Sequence, residues 1–200
     1  MSEKVPASDP AAASAVRTAR ERMLAGEPRI WEPDPELGEL FMKGRRLVKA
    51  YNDAPGEDES ALDRILVELL ESVGEDVHIR QQLAVDYGAH ISIGARTFVN
   101  SGLTALDVAR ITIGADVQIG PNVQLLTPTH PLDPEERLEK WESGLPITIG
   151  DNVWLGGGVI VVPGVTIGEH TVVGAGAVVS KDLPARVLAV GNPAQVIRPL

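Results

Sequence analysis

His130 is the residue of this chain best placed to do chemistry. It stands in LLTPTHPLD, followed by Pro131, where a regular repeat gives way to an irregular charged segment. A histidine at such a junction is held by scaffold on one side and open to ligands on the other. Imidazole titrates near neutrality, which suits it to take a proton from a hydroxyl or amine nucleophile. A solvated loop histidine would show the same spacing, so both readings stand at this point. The other histidines are His78, His90 and His170. His90 precedes a core-type isoleucine and His170 sits at a repeat corner, and both are expected at the surface. Four histidines suffice in number for a zinc site of three histidines shared across a subunit interface, as in a γ-carbonic-anhydrase-like enzyme. Their spacing does not group them, and no metal is expected. The chain has no cysteine, which removes thiol nucleophiles, disulfides and cysteine-ligated zinc together.

The element that must position His130 is a repeat of six. From Ile149 to Pro184 an aliphatic residue leads each hexad: Ile149, Leu155, Val161, Ile167, Val173 and Val179. Position five is Val153, Val159, Val165, Thr171, Ala177 and Leu183, small or aliphatic throughout. Glycine dominates position two and is expected to supply backbone freedom at each corner. Helices repeat near 3.6 residues and strands near 2. A step of six suits a coil of short strands and turns whose inward aliphatics stack into one core. Ile93-Gly94 and Val99-Asn100 share the frame, and Ile113-Gly114 and Ile119-Gly120 return to it two residues out of step. An irregular corner is therefore expected near residues 105–112. Three hexads per turn predict four to five coils, about 20 Å tall at a strand spacing of ~4.8 Å. Residues 131–145 are charged and carry no repeat. A long segment expelled from a solenoid is usually functional.

Upstream of the coil the pattern is helical. Residues 1–13 read as a loose polar tail, 14–76 as a helical cap, 77–184 as the coil, and 185–200 as a tail packing on it. A first helix is expected from Ser14 to Ala25, with Gly26 as its stop. A second starts at Asp34-Pro35 and ends near Asn52, with Gly44 as a weak point. A third starts within residues 58–63, where Ser60 and Asp63 have capping-box spacing, and ends at Gly74.

Composition narrows the possible partners. The 200 residues are 44% hydrophobic and 4% aromatic, with a formal net charge of −10. Dispersed Lys and Arg in an acidic chain exclude a broad nucleic-acid surface. No apolar run is long enough to span a bilayer, and the first twenty residues contain no secretory h-region. A cytoplasmic protein with no membrane partner is the expectation.

An ordered set of motifs then resembles a known family. MLAGE (Met23 to Glu27), VDYGAHISIG (Val85 to Gly94), FVN (Phe98 to Asn100), THPLD (Thr129 to Asp133), PITIGDNVWLGG (Pro146 to Gly157), GAGAVVSKDLP (Gly174 to Pro184) and GNPAQVIR (Gly191 to Arg198) follow one another. They look like the maltose and galactoside O-acetyltransferase branch of the hexapeptide-repeat acyltransferases, which includes a nodulation acetyltransferase. The resemblance covers about residues 20–200. It implies a mainly β fold, a left-handed parallel β-helix with an N-terminal helical cap and one long ejected loop. It implies transfer of acetyl from acetyl-CoA to a hydroxyl of a sugar-like acceptor, in a homotrimer with its sites between subunits. An antibiotic or a nucleotide sugar is the alternative acceptor.

Under that resemblance His130 matches the catalytic base, and Gly157 matches the donor of a backbone N–H to the oxyanion. Asp86, Asn100 and Asp107 match acceptor-side positions. Trp154 would line the pantetheine channel, a role compatible with packing between subunits. Ala175, Ser180 and Lys181 match cofactor-side positions, and Lys181 or Arg198 would meet a CoA phosphate. The chain departs from the family pattern at Gln195, where arginine is usual, and at Ser101 and Gly102. It departs again after MLAGE, where the family has an aromatic and an acidic residue facing the acceptor: here Pro28, Arg29, Ile30 and Trp31 intervene and the spacing to Asp34 is altered.

Overall fold

The structure is a computed structural model that describes residues 17–30 and 34–200, with backbone only at Ile30. The expected tail over 1–13, the start of the first helix at Ser14, and Trp31 lie outside the described residues.

Short strands wind around a triangular coil, each pairing in parallel with its counterpart one turn away. The first face carries Ser72–Val73, Ile91–Ile93, Ile111–Ile113, Ile147–Ile149 and Thr166–Ile167. The second carries His78–Ile79, Phe98–Val99, Gln118–Ile119, Trp154–Leu155, Val172–Val173 and Val187–Val190, closed by the antiparallel strand Gln195–Pro199. The third carries Ala84–Val85, Thr104–Leu106, Gln124–Leu126, Ile160–Val161 and Val178–Val179. This is the left-handed parallel β-helix class expected from the motifs. It makes five complete coils and opens a sixth, more than the four to five expected. The additional strands, Ser72–Val73 and Val187–Val190, lie outside the stretch where hexads are legible.

The frame shift also has a structural source. Val73 pairs with Ile93 and Ile93 with Ile113, steps of 20 residues, whereas Ile149 pairs with Ile167, a step of 18. The two extra residues of each early coil fall at the corner between the third and first faces. Residues 86–90 and 107–110 turn there.

The core is the repeat itself. Every position-one residue from Ile149 to Val179 is at most 1% exposed, and every position-five residue from Val153 to Leu183 is at most 6% exposed. Thr171, the one polar member, donates its hydroxyl to the Pro184 carbonyl at 2.7 Å, so its burial leaves no unpaired group.

The position-two glycines serve close packing rather than the expected corner freedom. A Cβ at Gly150 would lie 2.6 Å from Glu169 N, and one at Gly120 would lie 2.6 Å from Gly157 N. Neither has a positive φ. The left-handed backbone falls instead two residues later, on Asp76, Arg96, Asp116, Asn152, His170 and Arg186 at the first corner, with φ of 53–59°, and on a second-corner column that includes Gly102, Asn122, Gly158 and Gly176. Coil spacing of ~4.8 Å leaves no room for a methyl group where one turn passes over the next, while Asn and Asp tolerate the left-handed turn.

The cap closes the wide end. Helix α1 (Ala19–Leu24) starts at Thr18, whose side chain accepts from Glu21 N while Glu21 reaches back, a complete capping box. Helix α2 (Pro35–Asp53) starts at Asp34, which accepts from Leu37 N at 3.0 Å. Helix α3 (Glu59–Leu69) is capped by Asp58, which accepts from Ala61 N, and not by Ser60. Leu66, Leu69 and Leu70 plug the core. Asn52 docks α2 on the first coil, donating to Leu83 O at 2.9 Å and accepting from Gln82 N and Leu83 N at 2.9 and 3.0 Å. Gly44 is where α2 passes over Tyr87: a Cβ there would lie 2.6 Å from the Tyr87 carbonyl oxygen. The helix-weakening glycine thus lets the cap approach the corner that bears Asp86.

Candidate active site

The 131–145 segment leaves the coil at the third corner and has internal structure that the sequence did not reveal. Thr127 and Leu145 close its base, with Leu145 N donating to Thr127 O at 3.0 Å. Pro128–Thr129 pairs antiparallel with Trp141–Gly144, matching Pro128 to Gly144 and Thr129 to Ser143. A short helix α4 (Pro134–Leu138) lies between them, capped by Asp133. The third strand of this sheet comes from the cap: Arg29–Ile30 pairs with Trp141–Gly144, with Arg29 opposite Glu142.

His130 follows directly on Thr129. Its side chain is exposed, and Nδ1 lies 3.2 Å from the Trp141 carbonyl oxygen. A carbonyl only accepts, so Nδ1 carries a proton, and in the neutral ring the lone pair is on Nε2. The ring faces a cleft of about 420 Å³ lined by Pro28, Thr129, Glu136, Trp141 and Glu142 among others. An imidazole held on one nitrogen and unengaged on the other has the arrangement of a general base.

Behind Glu142 lies the corner of the two wide coils. Asp107 is completely buried. Oδ1 accepts from the amides of Asp86 and Tyr87 at 3.1 and 2.8 Å, and Oδ2 accepts from His90 N at 3.2 Å. Its carboxylate therefore has no surface to offer a ligand and anchors the turn that carries Asp86. His90 is also fully buried, contrary to the expected surface position. Its Nδ1 meets the Asp107 carbonyl oxygen at 2.7 Å and its Nε2 accepts from Arg20 Nε at 3.1 Å. Burial pushes its pKa down against the pull of Asp107, so the ring is neutral. Asp86 is half-buried and its pKa is raised to about 6, first by burial, then by the charges of Asp107 and Glu142. Arg29 and Glu142 form an ion pair at 2.6 Å, with side chains 17% and 15% exposed.

The remaining candidates lie elsewhere. Asn100, Gly157 and Ala175 stack along the second corner, each just after a second-face strand. Asn100 Oδ1 accepts from Ser101 N at 2.8 Å and from Arg80 at 3.4 Å. Trp154, on the adjoining second face, is 56% exposed. Ser180 and Lys181 are exposed at the third corner after the last third-face strand, and Arg198 is exposed on the antiparallel C-terminal strand. Within one chain the third face separates the His130 group from the Asn100–Gly157–Ala175 column. From Asn100 to Asp107 the chain runs through one such strand, a span of roughly 15–20 Å at ~3.3 Å per residue.

Arg29, Tyr87, His90 and Glu142 were not singled out as site residues. The departure after MLAGE marked Arg29 alone, and Tyr87 and His90 stood unassigned within VDYGAHISIG. Among the described residues no group of three His, Asp or Glu side chains is arranged to hold a metal ion. His78 on the second face and His170 at the first corner lie apart from His90 and His130 at the third. No helix among the described residues is long and apolar enough to cross a membrane.

Comparisons with known proteins agree with the architecture at both ends of the chain. The maltose acetyltransferase hexapeptide capping motif matches residues 22–74, and the bacterial transferase hexapeptide of six repeats matches residues 146–181. Nodulation protein L of Rhizobium leguminosarum bv. viciae is 46% identical over 181 residues, 90% of this chain and 94% of that protein. The crystal structure of a maltose O-acetyltransferase from Clostridium difficile 630 superposes with a TM-score of 0.89 at 40% identity, covering 92% of this chain and 98% of that one. A galactoside acetyltransferase in complex with coenzyme A superposes with a TM-score of 0.87 at 36% identity, covering 92% of each chain. With the capping motif, the hexapeptide coil and near full-length similarity of this degree, the chain belongs to the hexapeptide-repeat acetyltransferases, in the branch of the maltose and galactoside O-acetyltransferases.

Proposed function

We propose that this protein transfers an acetyl group from acetyl-CoA to a hydroxyl of a sugar-like acceptor, with His130 as general base. The observation that carries the proposal is His130, held through Nδ1 on the Trp141 carbonyl and lining the cleft. Nε2 takes the acceptor's O–H proton as its oxygen attacks the thioester carbonyl. The tetrahedral oxyanion needs a fixed donor, and the Gly157 N–H fills that role. As the C–S bond breaks, His130 returns the proton to the departing thiolate. The products are the acetyl ester and free CoA thiol. Acetyl-CoA and coenzyme A complexes among the related structures support the choice of donor.

The division of candidate residues between two corners supports a homotrimer with shared sites. The second corner of one subunit, bearing Asn100, Gly157, Ala175 and the exposed Trp154, would face the third corner of the next, bearing Asp86 and His130. Ser180, Lys181 and Arg198 would then flank the cofactor's far end. A cytoplasmic location follows from the source of acetyl-CoA. His130→Ala is expected to lower free-thiol release by ~10²–10⁴-fold with the melting temperature unchanged. Retained turnover in a folded His130→Ala protein refutes the assignment. An acceptor screen read by the same thiol release identifies the hydroxyl compound.

A further inference from the structure

The feature left unused by that mechanism is the ion pair between the cap and the ejected loop. Arg29 is opposite Glu142 in the cap–loop strand pairing. On the other edge of the loop strand, Thr129 is opposite Ser143. Continuing that register one step brings His130 opposite Glu142. Arg29 and Glu142 on their strands and His130, one residue past the third, thus fall in one row, the arrangement in which neighbouring side chains on a sheet face interact. Glu142 and His130 line the same cleft. The strand that bears Glu142 also bears the Trp141 carbonyl that sets the His130 tautomer.

Close contacts fix this row. The loop strand is packed on the wide-coil corner: a Cβ at Gly144 would meet Ala109 and Val108 at 3.1 Å. The cap passes equally close, since a Cβ at Gly26 would lie 3.2 Å from Gly144 O. The charged groups facing His130 can be named by element. Glu142 comes from the loop strand, Glu136 from α4 and Arg29 from the cap strand. Asp86 and Asp107 stand behind Glu142 on the coil corner. Of these, Asp107 is satisfied by amides, and Glu142 is compensated by Arg29.

We propose that Arg29 and Glu142 are a positioning pair for the base, through which the helical cap seats the strand that orients His130 and balances the charge beside it. The proposal rests on His130 being the base. Arg29 acts through Glu142 and does not touch the reacting atoms. The cap thereby becomes part of the catalytic apparatus as well as the lid of the core.

The test compares Arg29→Met, Glu142→Gln, the double variant and Arg29→Lys in the full-length protein, with His130→Ala as reference. Turnover is read by thiol release across pH 5–9. Arg29→Met leaves a bare carboxylate beside the imidazole, which favours the protonated ring, so the acid limb of the profile moves to higher pH. Glu142→Gln leaves a bare guanidinium and moves the limb to lower pH. Each shift is expected to be ~0.5 pH unit or more. The double variant returns the limb to its original position while kcat stays below that of the parent. The KM for acetyl-CoA is unchanged in all of them. Arg29→Lys keeps the charge and leaves the limb in place.

Single-variant limbs that stay put, or move in the same direction, overturn the proposal. If Arg29→Met does not fold, Glu142→Gln against Arg29→Lys decides it alone: an unmoved limb in Glu142→Gln refutes the pair's role. Undiminished turnover in His130→Ala removes the base itself, a failure distinct from unmoved limbs in a protein whose His130→Ala variant is inactive.

Discussion

The side chains of the third corner divide by the chemistry each is free to do. His130 has one nitrogen occupied and one open. Asp107 and His90 have every polar atom engaged inside the protein. Asp86 is held where its charge is disfavoured, with a pKa of about 6. A carboxyl raised above its unfolded value contributes stability at low pH that is lost as pH rises from about 4 through about 6. Asp86→Asn is therefore expected to raise the melting temperature at pH 8 and to leave it nearly unchanged at pH 4, measured at one protein concentration. A lower melting temperature at pH 8 would contradict the burial argument. Retention of a destabilising charge next to Glu142, which lines the His130 cleft, is the pattern expected of a working site. His130 was legible in the sequence because the repeat stops beside it. The Arg29–Glu142 pair was not, because it joins residues far apart in sequence through two strands too short to show alternation. The burial of Asp107 and His90 was hidden for a related reason: it depends on extra residues in two coils, which appear in sequence only as a slip of frame.

Elements were legible where their signal is local. Asp34-Pro35 marked the start of α2, and its end at Asp53 lies one residue from the expected Asn52. The first helix begins at Thr18 because Thr18 and Glu21 form the reciprocal cap there. The choice between Asp58 and Ser60 at α3 turns on backbone geometry that side-chain identity does not reveal. Glycine was the subtler case. Its recurrence at position two was plain, but its purpose was not, since corner freedom and close approach leave the same residue in the sequence. The two purposes predict different costs. Gly150→Ala drives a methyl group onto the next coil's backbone at 2.6 Å, and is expected to cost about 3 kcal/mol. Gly176 has φ of +71° with nothing within 4 Å of a Cβ, so Gly176→Ala is expected to cost only ~1–2 kcal/mol for the left-handed backbone. Chemical denaturation of the two variants at equal concentration checks the order, and a Gly176→Ala cost equal to or above that of Gly150→Ala would refute it.

At the scale of the whole molecule, the candidate residues of one chain fall at two separate corners, and the proposed site needs both. If neighbouring subunits complete each other, two defects on different corners are complementary. His130→Ala removes the base, and Ala175→Trp fills an exposed cofactor-side position on the second corner. Each is expected to be inactive alone, and a co-refolded mixture is expected to regain turnover through mixed trimers. A mixture as inactive as its parts would place the whole site within one subunit. The coil itself was legible because six-residue periodicity survives in every hexad from Ile149 onward. The homotrimer came only from the resemblance, because the repeat describes the inward face of the coil and leaves the outward faces unspecified.

The closure of the ejected loop carries a last consequence. Thr127 and Leu145 meet at its base. On either side the ladder continues undisturbed, with Leu125 beside Val161 and Ile113 beside Ile149. The solenoid therefore does not register the length of what is inserted there. Doubling such an insert costs only about 0.6 kcal/mol of closure entropy. Descendants of this scaffold can exchange the segment that walls the His130 cleft as a cassette, reshaping that cleft without rebuilding a single rung of the coil.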